Sequence, residues 1–185
     1  RHRFLPCKGE VPKGRRGQKH KFWNNLYPYQ IMIEPETKHI AFLILPESTL
    51  LDVTGPYEVF TQAIELIATS KYRTGFNYQL HSISMDDNEN IRTASGIVFH
   101  CTENIKTVDY LIDTLFIPGV PNAQAESYRL PENVLQWITE QAKHTRRICS
   151  VCTGSFFLAE AGLLSNKRVT THWEKCEALS RTYPD

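Results

Sequence analysis

Three short apolar runs constrain the fold of this chain more than any other feature. They span residues 39–45, 111–117 and 147–151, and each has the length of a β-strand. Runs of this kind, with little polar alternation, are typical of strands that are buried on both faces of a parallel sheet. Segments with helical spacing of apolar residues lie between the runs. We therefore predict an α/β fold with a mostly parallel sheet and helices on both sides.

Other segments supply the remaining elements. Residues 76–84 alternate enough to form a second strand, and residues 96–100 predict a shorter one. Thr54, Gly55 and Pro56 look like a capping residue followed by a proline in the first turn, so we expect a loop over 46–55 and a helix after it. Two more helices are expected, one opened by Pro131 and one over 153–163.

The charges divide the chain into two parts. Residues 1–24 hold eight of the 21 Lys and Arg side chains but one of the 20 acids, so the rest of the chain is acidic. Residues 1–37 show no period and predict an irregular basic tail. The length fits one domain, which we place at 39–185. Since its acidic body offers no cationic surface for nucleic acid, we expect it to bind a small molecule.

Several classes of protein are disfavoured by composition. No apolar run approaches the roughly 20 residues of a membrane-spanning helix, and the N-terminus lacks the apolar core of a signal peptide. Five cysteines at irregular spacings argue for reduced thiols rather than a disulfide framework. We predict a cytoplasmic protein that makes no contact with a membrane.

Cys152 is the main candidate for a reactive residue. It stands where the third apolar run stops and the next helix begins, and a turn of this kind lifts a nucleophile out of the sheet toward the helix N-terminus. The helix dipole there predicts a lowered thiol pKa. The N–H of Thr153 is a candidate oxyanion donor, the backbone at Gly119 and Val120 offers a second, and Gly154 leaves room for a ligand.

The spacing of Cys149 and Cys152 also matches the Cys-x-x-Cys pattern of redox and zinc sites. Cys149 lies inside the predicted strand, which places it in the core and away from a helical turn. No second Cys-x-x-Cys or paired histidine supplies further zinc ligands. We therefore predict no metal and no cofactor.

Two further side chains are expected near Cys152. Asp52 follows the first strand and can serve as a general acid or base, although a loop-capping role is the alternative. His172 follows a short apolar stretch that we interpret as a strand, and it can orient the thiolate or relay a proton, although a structural role is the alternative.

Four segments together resemble a known family. Residues 51–60, 117–119, 150–155 and 170–173 (LDVTGPYEVF, IPG, SVCTGS and TTHW) are similar to motifs of the ThiJ/PfpI family, and the resemblance spans 39–185. It implies a class I glutamine amidotransferase-like domain, a flavodoxin-like three-layer sandwich with a cysteine nucleophile elbow. Val120 departs from the family, many of whose members have a second glycine there. A positive φ at this position would strain Val120 and misplace the second oxyanion donor.

The resemblance covers two branches of the family. One is the isonitrile hydratases, whose cysteine, following threonine and first-loop aspartate would be Cys152, Thr153 and Asp52. The other is the GlxA-like AraC-type transcription regulators, in which this domain is a sensor followed by a DNA-binding helix-turn-helix. The segment 62–76 and the ending 177–185 favour the regulators. In both branches the domain continues, so we expect 39–185 to be truncated and DNA contact to need a region absent from this chain.

These expectations lead to competing hypotheses. The first is a sensor domain that binds a small ligand around Cys152 and forms a homodimer covering an exposed sheet edge. The second is a cysteine-dependent hydratase that converts an isonitrile to an N-substituted formamide. Glyoxalase- or deglycase-like chemistry ranks below it because the first-loop acid is the short Asp52. The third is a redox sensor, since an exposed thiol of low pKa oxidises readily.

Overall fold

The computed structural model describes residues 35–69 and 75–184. Most of the predicted tail, and residues 70–74 of the segment 62–76, therefore lie outside the described residues. Glu36 and Thr37, which the sequence placed in the tail, belong to the first strand instead.

The strands occupy short segments throughout the described part of the chain. They are β1 Glu36–Ile44, β2 Phe76–Ser84, β3 Asn90–Arg92, β4 Val98–His100, β5 Glu103–Asn104, β6 Ile112–Ile117 and β7 Arg147–Ser150. The predicted runs at 39–45, 76–84 and 111–117 each coincide with one of them. The two-residue β5 and the three-residue β3 carry no apolar run, which is why the sequence did not indicate them.

The helices lie between and after these strands. They are α1 Leu50–Thr69, α2 Glu132–His144, α3 Ser155–Glu160 and α4 Cys176–Thr182, with 3-10 turns at Cys152–Gly154 and Trp173–Lys175. None of the helices in the described ranges is long and apolar enough to cross a membrane.

The described residues form a five-stranded sheet in the order β5-β2-β1-β6-β7, and β3 pairs with β4 in a separate hairpin. Each pair of neighbours in the larger sheet is parallel. This confirms the predicted mostly parallel sheet. The register between β1 and β6 shifts between His39 and Ile40.

The two faces of β1 bury separate cores, because successive side chains of a strand point to opposite faces. Ile40, Phe42 and Ile44 pack with Val53 of α1 and Ile91 of the hairpin. Side chains of the other face pack with α2 and α3; they include Ala41, Leu43, Val134, Ile138 and Phe157. The result is the predicted three-layer sandwich.

The first helix begins earlier than predicted. It starts at Leu50, so Asp52 lies in its first turn and Pro56 lies inside the helix. Because proline lacks an N–H, one helical hydrogen bond is missing at Pro56. The backbone around Thr49 sets the start instead: its carbonyl accepts the N–H of Asp52 at 3.0 Å, and its N–H donates to Gly119 at 2.9 Å.

The helix after the third run is also shorter than the predicted 153–163. A 3-10 turn at Cys152–Gly154 precedes α3, which ends at Glu160. Gly162, with φ of 72°, then turns the chain away. The short α3 matters for the electrostatics of the site.

The order of strands determines where a site can form. The chain adds β2 and β5 on one side of β1 and then returns to place β6 on the other side. Loops that leave β1 and β6 therefore diverge at the carboxyl ends of these strands, which is the usual position of a ligand crevice in open α/β sheets.

Gly154 packs so closely against β6 that we expect Gly154→Ala to destabilise the fold. A Cβ atom there would lie under 3.0 Å from backbone atoms of Ile117 and Pro118, which cannot swing aside. We expect a loss of about 1–3 kcal/mol in the free energy of unfolding, measured in urea. The matched control is Gly55→Ala in α1, where the nearest atom, Cδ1 of Leu51, is 3.9 Å away. It should be neutral or stabilising by up to about 1 kcal/mol, and equal effects of the two variants would contradict the prediction.

Candidate functional site

The candidate site lies at the carboxyl ends of β1, β6 and β7. Asp52 comes from the first turn of α1, Gly119 from the loop after β6, and Cys152 from the turn after β7. The hydrogen bond from the N–H of Gly119 to Oδ2 of Asp52 is 3.0 Å long. The structure therefore brings together side chains that the sequence placed on separate loops.

Cys152 has an unusual backbone. Its φ is 55°, a left-handed conformation that is uncommon for residues other than glycine and costs on the order of 1–2 kcal/mol. Hydroxyl groups hold the peptide in place, since Thr171 Oγ1 donates to the Cys152 carbonyl at 3.1 Å and Ser155 Oγ does so at 3.5 Å. The turn thus presents the thiol at the end of β7, in the direction of Asp52.

Asp52 is a buried acid whose carboxylate has three electrostatic partners. Only 8% of the residue is exposed. Burial raises its pKa, while the Gly119 N–H, the nearby His172 ring and a hydrogen bond with the Cys152 thiol act in the opposite direction. In this pair the S–H group donates a hydrogen bond to the ionised carboxylate. A carboxylate so placed can take the thiol proton.

The predicted lowering of the Cys152 pKa is wrong. Burial raises the thiol pKa, and the negative charge of Asp52 raises it further, whereas the backbone N–H and side chain of Thr153 only partly oppose these effects. The helix dipole contributes little because α3 has six residues and begins three positions after Cys152. With a pKa above its ordinary value, the thiol is largely protonated at neutral pH.

Thr153 joins two loops rather than facing a ligand. Its side chain is fully buried. Its hydroxyl accepts the N–H of Val120 at 2.9 Å and donates to the carbonyl of Val120 at 2.6 Å. The Thr153 hydroxyl is thus bonded to Val120 and also lies beside the thiol, and the backbone N–H of Thr153 is directed at the thiol as well.

The same bonds occupy the second oxyanion donors that the sequence proposed. The N–H of Gly119 donates to Asp52 and that of Val120 donates to Thr153, so neither is available in this arrangement. Val120 is buried, and its φ is outside the left-handed region, so the strain anticipated for this residue does not arise.

The two glycines of the site serve close packing. A Cβ atom on Gly119 would lie under 3.0 Å from Thr153 and from the carboxylate of Asp52. Gly154 is buried against the end of β6 and does not open space for a ligand, contrary to the sequence-based expectation.

The local structure around His172 differs from the predicted one. The residues directly before it, 161–171, form no strand, and His172 caps the 3-10 turn Trp173–Lys175 instead. Its Nδ1 atom accepts the backbone N–H of Glu174 at 3.3 Å and lies 3.2 Å from Nδ2 of Asn122. Its ring acts electrostatically on Asp52.

Asn122 and Thr171 are contacts that reasoning from the sequence missed. Asn122 links His172 to the carboxylate of Glu174, whose Oε2 atom is 2.6 Å from Asn122 Nδ2. Thr171 anchors the carbonyl of Cys152. Thr171 lies inside the motif 170–173 and Asn122 lies three residues after the motif 117–119, so position relative to those motifs was the available signal.

Cys149 and Cys152 are both free thiols. Cys149 lies in β7, half-buried rather than in the core, and burial raises its pKa. In the described part of the chain, no three histidine, cysteine or acidic side chains converge in a way that could hold a metal ion.

Comparison with known proteins gives one family and two kinds of relative. The model of the DJ-1/PfpI family matches residues 38–183. An isonitrile hydratase from Pseudomonas putida is 33% identical over 134 residues, which are 72% of this chain and 52% of the hydratase. The HTH-type transcriptional regulator GbdR from Pseudomonas aeruginosa is 30% identical over 148 residues, which are 78% of this chain and 36% of the regulator. The chain thus spans about half of the hydratase and about a third of the regulator.

Solved structures agree on the fold. A ThiJ/PfpI family protein from Pseudomonas syringae superposes with a TM-score of 0.63 at 22% identity, covering 88% of this chain and 61% of that one. An AraC family transcriptional regulator from Pseudomonas putida gives a TM-score of 0.63 at 21% identity, covering 80% and 73%. The predicted flavodoxin-like fold class and the resemblance to ThiJ/PfpI proteins are confirmed.

The charge on Asp52 should control the ionisation of Cys152. In Asp52→Asn the carboxylate charge is lost while the side chain keeps its size, so we expect the Cys152 pKa to fall below that of the unmodified protein. Each pKa unit removed gives about tenfold more thiolate at a pH below the pKa. The measurement is the pH dependence of Cys152 alkylation by iodoacetamide, followed by mass spectrometry of its peptide.

Glu58→Gln is the matched control, because Glu58 is exposed on the same helix and its substitution removes one negative charge as well. Its alkylation profile should match that of the unmodified protein. Slower alkylation of Asp52→Asn at every pH would contradict the assigned role, because it would mean that Asp52 stabilises the thiolate.

Proposed function

Because the chain belongs to the DJ-1/PfpI family, we propose that it is the ligand-sensing domain of an AraC-type transcription regulator. The ligand would be a small molecule bound in the crevice around Cys152. DNA contact would require a helix-turn-helix region outside residues 1–185. We further propose a cytoplasmic homodimer, as expected from the sequence.

The observation that carries this proposal is that the polar groups around Cys152 already have hydrogen-bond partners within the protein. Acyl-transfer chemistry needs N–H donors that are free to receive a developing oxyanion. Here the N–H groups of Gly119 and Val120 are bonded within the protein, and the thiol is largely protonated. A crevice with its donors internally satisfied and its nucleophile neutral suits reversible binding better than this class of catalysis.

The similarity to regulators supports the same proposal. GbdR and CdhR of Pseudomonas aeruginosa, which are HTH-type transcriptional regulators, match 78% and 77% of this chain. In each of them the matched part is less than half of the protein, which leaves a large region for another activity such as DNA binding.

The coding sequence after Asp185 tests the sensor proposal directly. We expect the reading frame to continue for roughly 100 residues and to encode a helix-turn-helix, whose recognition helix enters the major groove. A stop codon after no more than one further strand and helix would contradict the proposal.

A second candidate function is hydration of an isonitrile. The specific observation that favours it is the hydrogen bond between the Cys152 thiol and the buried Asp52 carboxylate. Isonitrile hydration makes no tetrahedral oxyanion in its first step. It therefore does not need the N–H groups of Gly119 and Val120, which are bonded within the protein.

The pair can supply a balanced reaction for this candidate. Asp52 takes the thiol proton, the sulfur bonds to the terminal carbon of R–N≡C, and the acid returns the proton to that carbon to give the thioimidate R–N=CH–S–Cys152. Water then adds to the same carbon with a second proton transfer through Asp52. Expulsion of the thiol gives R–NH–CHO, so that water is the only molecule consumed besides the isonitrile.

Incubation with cyclohexyl isocyanide separates the two candidates. As a sensor domain the protein yields no N-cyclohexylformamide above the buffer blank, measured by proton NMR. Formamide that accumulates with the unmodified protein and with Glu58→Gln, but not with Cys152→Ala or Asp52→Asn, would assign hydratase activity and overturn the sensor proposal.

A further inference from the structure

The ring of His172 has a fixed arrangement of hydrogen-bond partners. Nδ1 lies 3.3 Å from the backbone nitrogen of Glu174 and 3.2 Å from the side-chain nitrogen of Asn122. A backbone N–H can only donate. Nδ1 must therefore present a lone pair to Glu174, which in a neutral ring leaves the proton on Nε2.

The orientation of the Asn122 amide follows from two neighbours that only accept. Nδ1 accepts on one side, and the carboxylate of Glu174 accepts at 2.6 Å on the other. The amide nitrogen has two protons and can serve both, whereas the amide oxygen would face a lone pair at each position. Asn122 is thus held with its nitrogen toward His172 by a charged acceptor.

We propose that Asn122 is a positioning residue that holds His172 in the Nε2–H tautomer, so that His172 acts at the site as a hydrogen-bond donor and not as the base for the Cys152 thiol. The role at the site rests on the proposed function, whereas the tautomer is a property of the folded chain in either candidate function. From its position in the sequence, His172 was expected to orient the thiolate or relay a proton, and the contacts of its Nδ1 atom with Asn122 and Glu174 argue against the relay.

The charged side chains around the ring have partners of their own. The acids near His172 are Asp52 and Glu174. The neighbouring cation, Lys175, is paired with Glu126 at 2.7 Å and so does not compensate Glu174. Glu174 is left to orient Asn122, and Asp52 is left as the proton acceptor of the site.

A consequence for the ligand follows from the donor role. An Nε2–H group recognises an acceptor atom, such as a carbonyl or ether oxygen or an aromatic nitrogen. We therefore infer that the crevice takes a ligand that presents a hydrogen-bond acceptor toward His172.

Nitrogen NMR of histidine-labelled protein tests the tautomer. The sequence has seven histidines, so the His172 signals are identified by their loss in His172→Gln. At a pH where the ring is neutral, we expect an unprotonated Nδ1 and a protonated Nε2. A proton on Nδ1, or equal populations of both tautomers, would overturn the proposal.

Asn122→Asp is the decisive variant, because it has the shape of asparagine but presents only acceptors to Nδ1. We expect the His172 signals to move toward the Nδ1–H tautomer. Asn122→Ala removes one of the two donors to Nδ1, so the share of the Nε2–H tautomer should fall, but less than in Asn122→Asp because the Glu174 N–H remains. Ser127→Ala, an exposed hydroxyl of the same segment, is the matched control and should leave the spectrum unchanged. An unchanged spectrum in Asn122→Asp, with circular dichroism showing a folded protein, would overturn the role of Asn122.

Failure of this proposal can be told apart from failure of the proposed function. The coding sequence and the formamide assay decide between sensor and hydratase without reference to the tautomer. The nitrogen spectrum reports the tautomer whichever of the two functions holds.

Discussion

The hydrogen bond between the Gly119 N–H and the Asp52 carboxylate is the interaction on which the site depends. It connects the first turn of α1, which follows β1, with the loop after β6, and β1 and β6 are the two strands between which the order of the sheet reverses. Gly119 is also held through its carbonyl, which accepts the N–H of Thr49. Only glycine fits there, since a Cβ atom would collide with Asp52 and Thr153. Backbone geometry at one residue thereby places the acid, the Thr153 contact and the thiol together.

At Cys152 the presentation of the side chain by the turn and the ionisation of the thiol are independent properties. A strained backbone with φ of 55° presents the side chain, but it does not by itself ionise the thiol. Ionisation depends on nearby charge and solvent, and here burial and Asp52 both favour the protonated form. A lowered thiol pKa would need a longer helix behind the turn or a cation in the place of Asp52.

The sequence was sufficient for the sheet but not for the contacts that define the site. Buried parallel strands need apolar side chains on both faces, and this requirement is visible in the runs at 39–45 and 111–117. The start of α1 was misplaced because Thr54 and Pro56 have the local pattern of a helix start, whereas backbone contacts of Thr49 with distant Gly119 decide the observed one.

Hydrogen bonds between residues far apart in the sequence explain the other contacts that the sequence did not predict. Gly119 and Asp52 are 67 residues apart, Val120 and Thr153 are 33 apart, and Asn122 and His172 are 50 apart. Local sequence patterns carry no information on such pairings. The hydrogen bonds of the Gly119 and Val120 N–H groups and the contacts of Asn122 could therefore be found only from the three-dimensional structure.

The charge of the site limits what either candidate function can bind. Asp52 is 8% exposed and its carboxylate accepts a hydrogen bond from the thiol, so an anionic ligand would place a second negative charge beside a buried one. A neutral ligand avoids this cost, and isonitriles are neutral. Sensing and hydration therefore make the same demand on the ligand and differ in the proton between Cys152 and Asp52. Binding leaves that proton in place, whereas hydration requires Asp52 to take it from sulfur and deliver it to carbon. The ionisation balance of these two side chains is what separates a receptor from an enzyme on this scaffold.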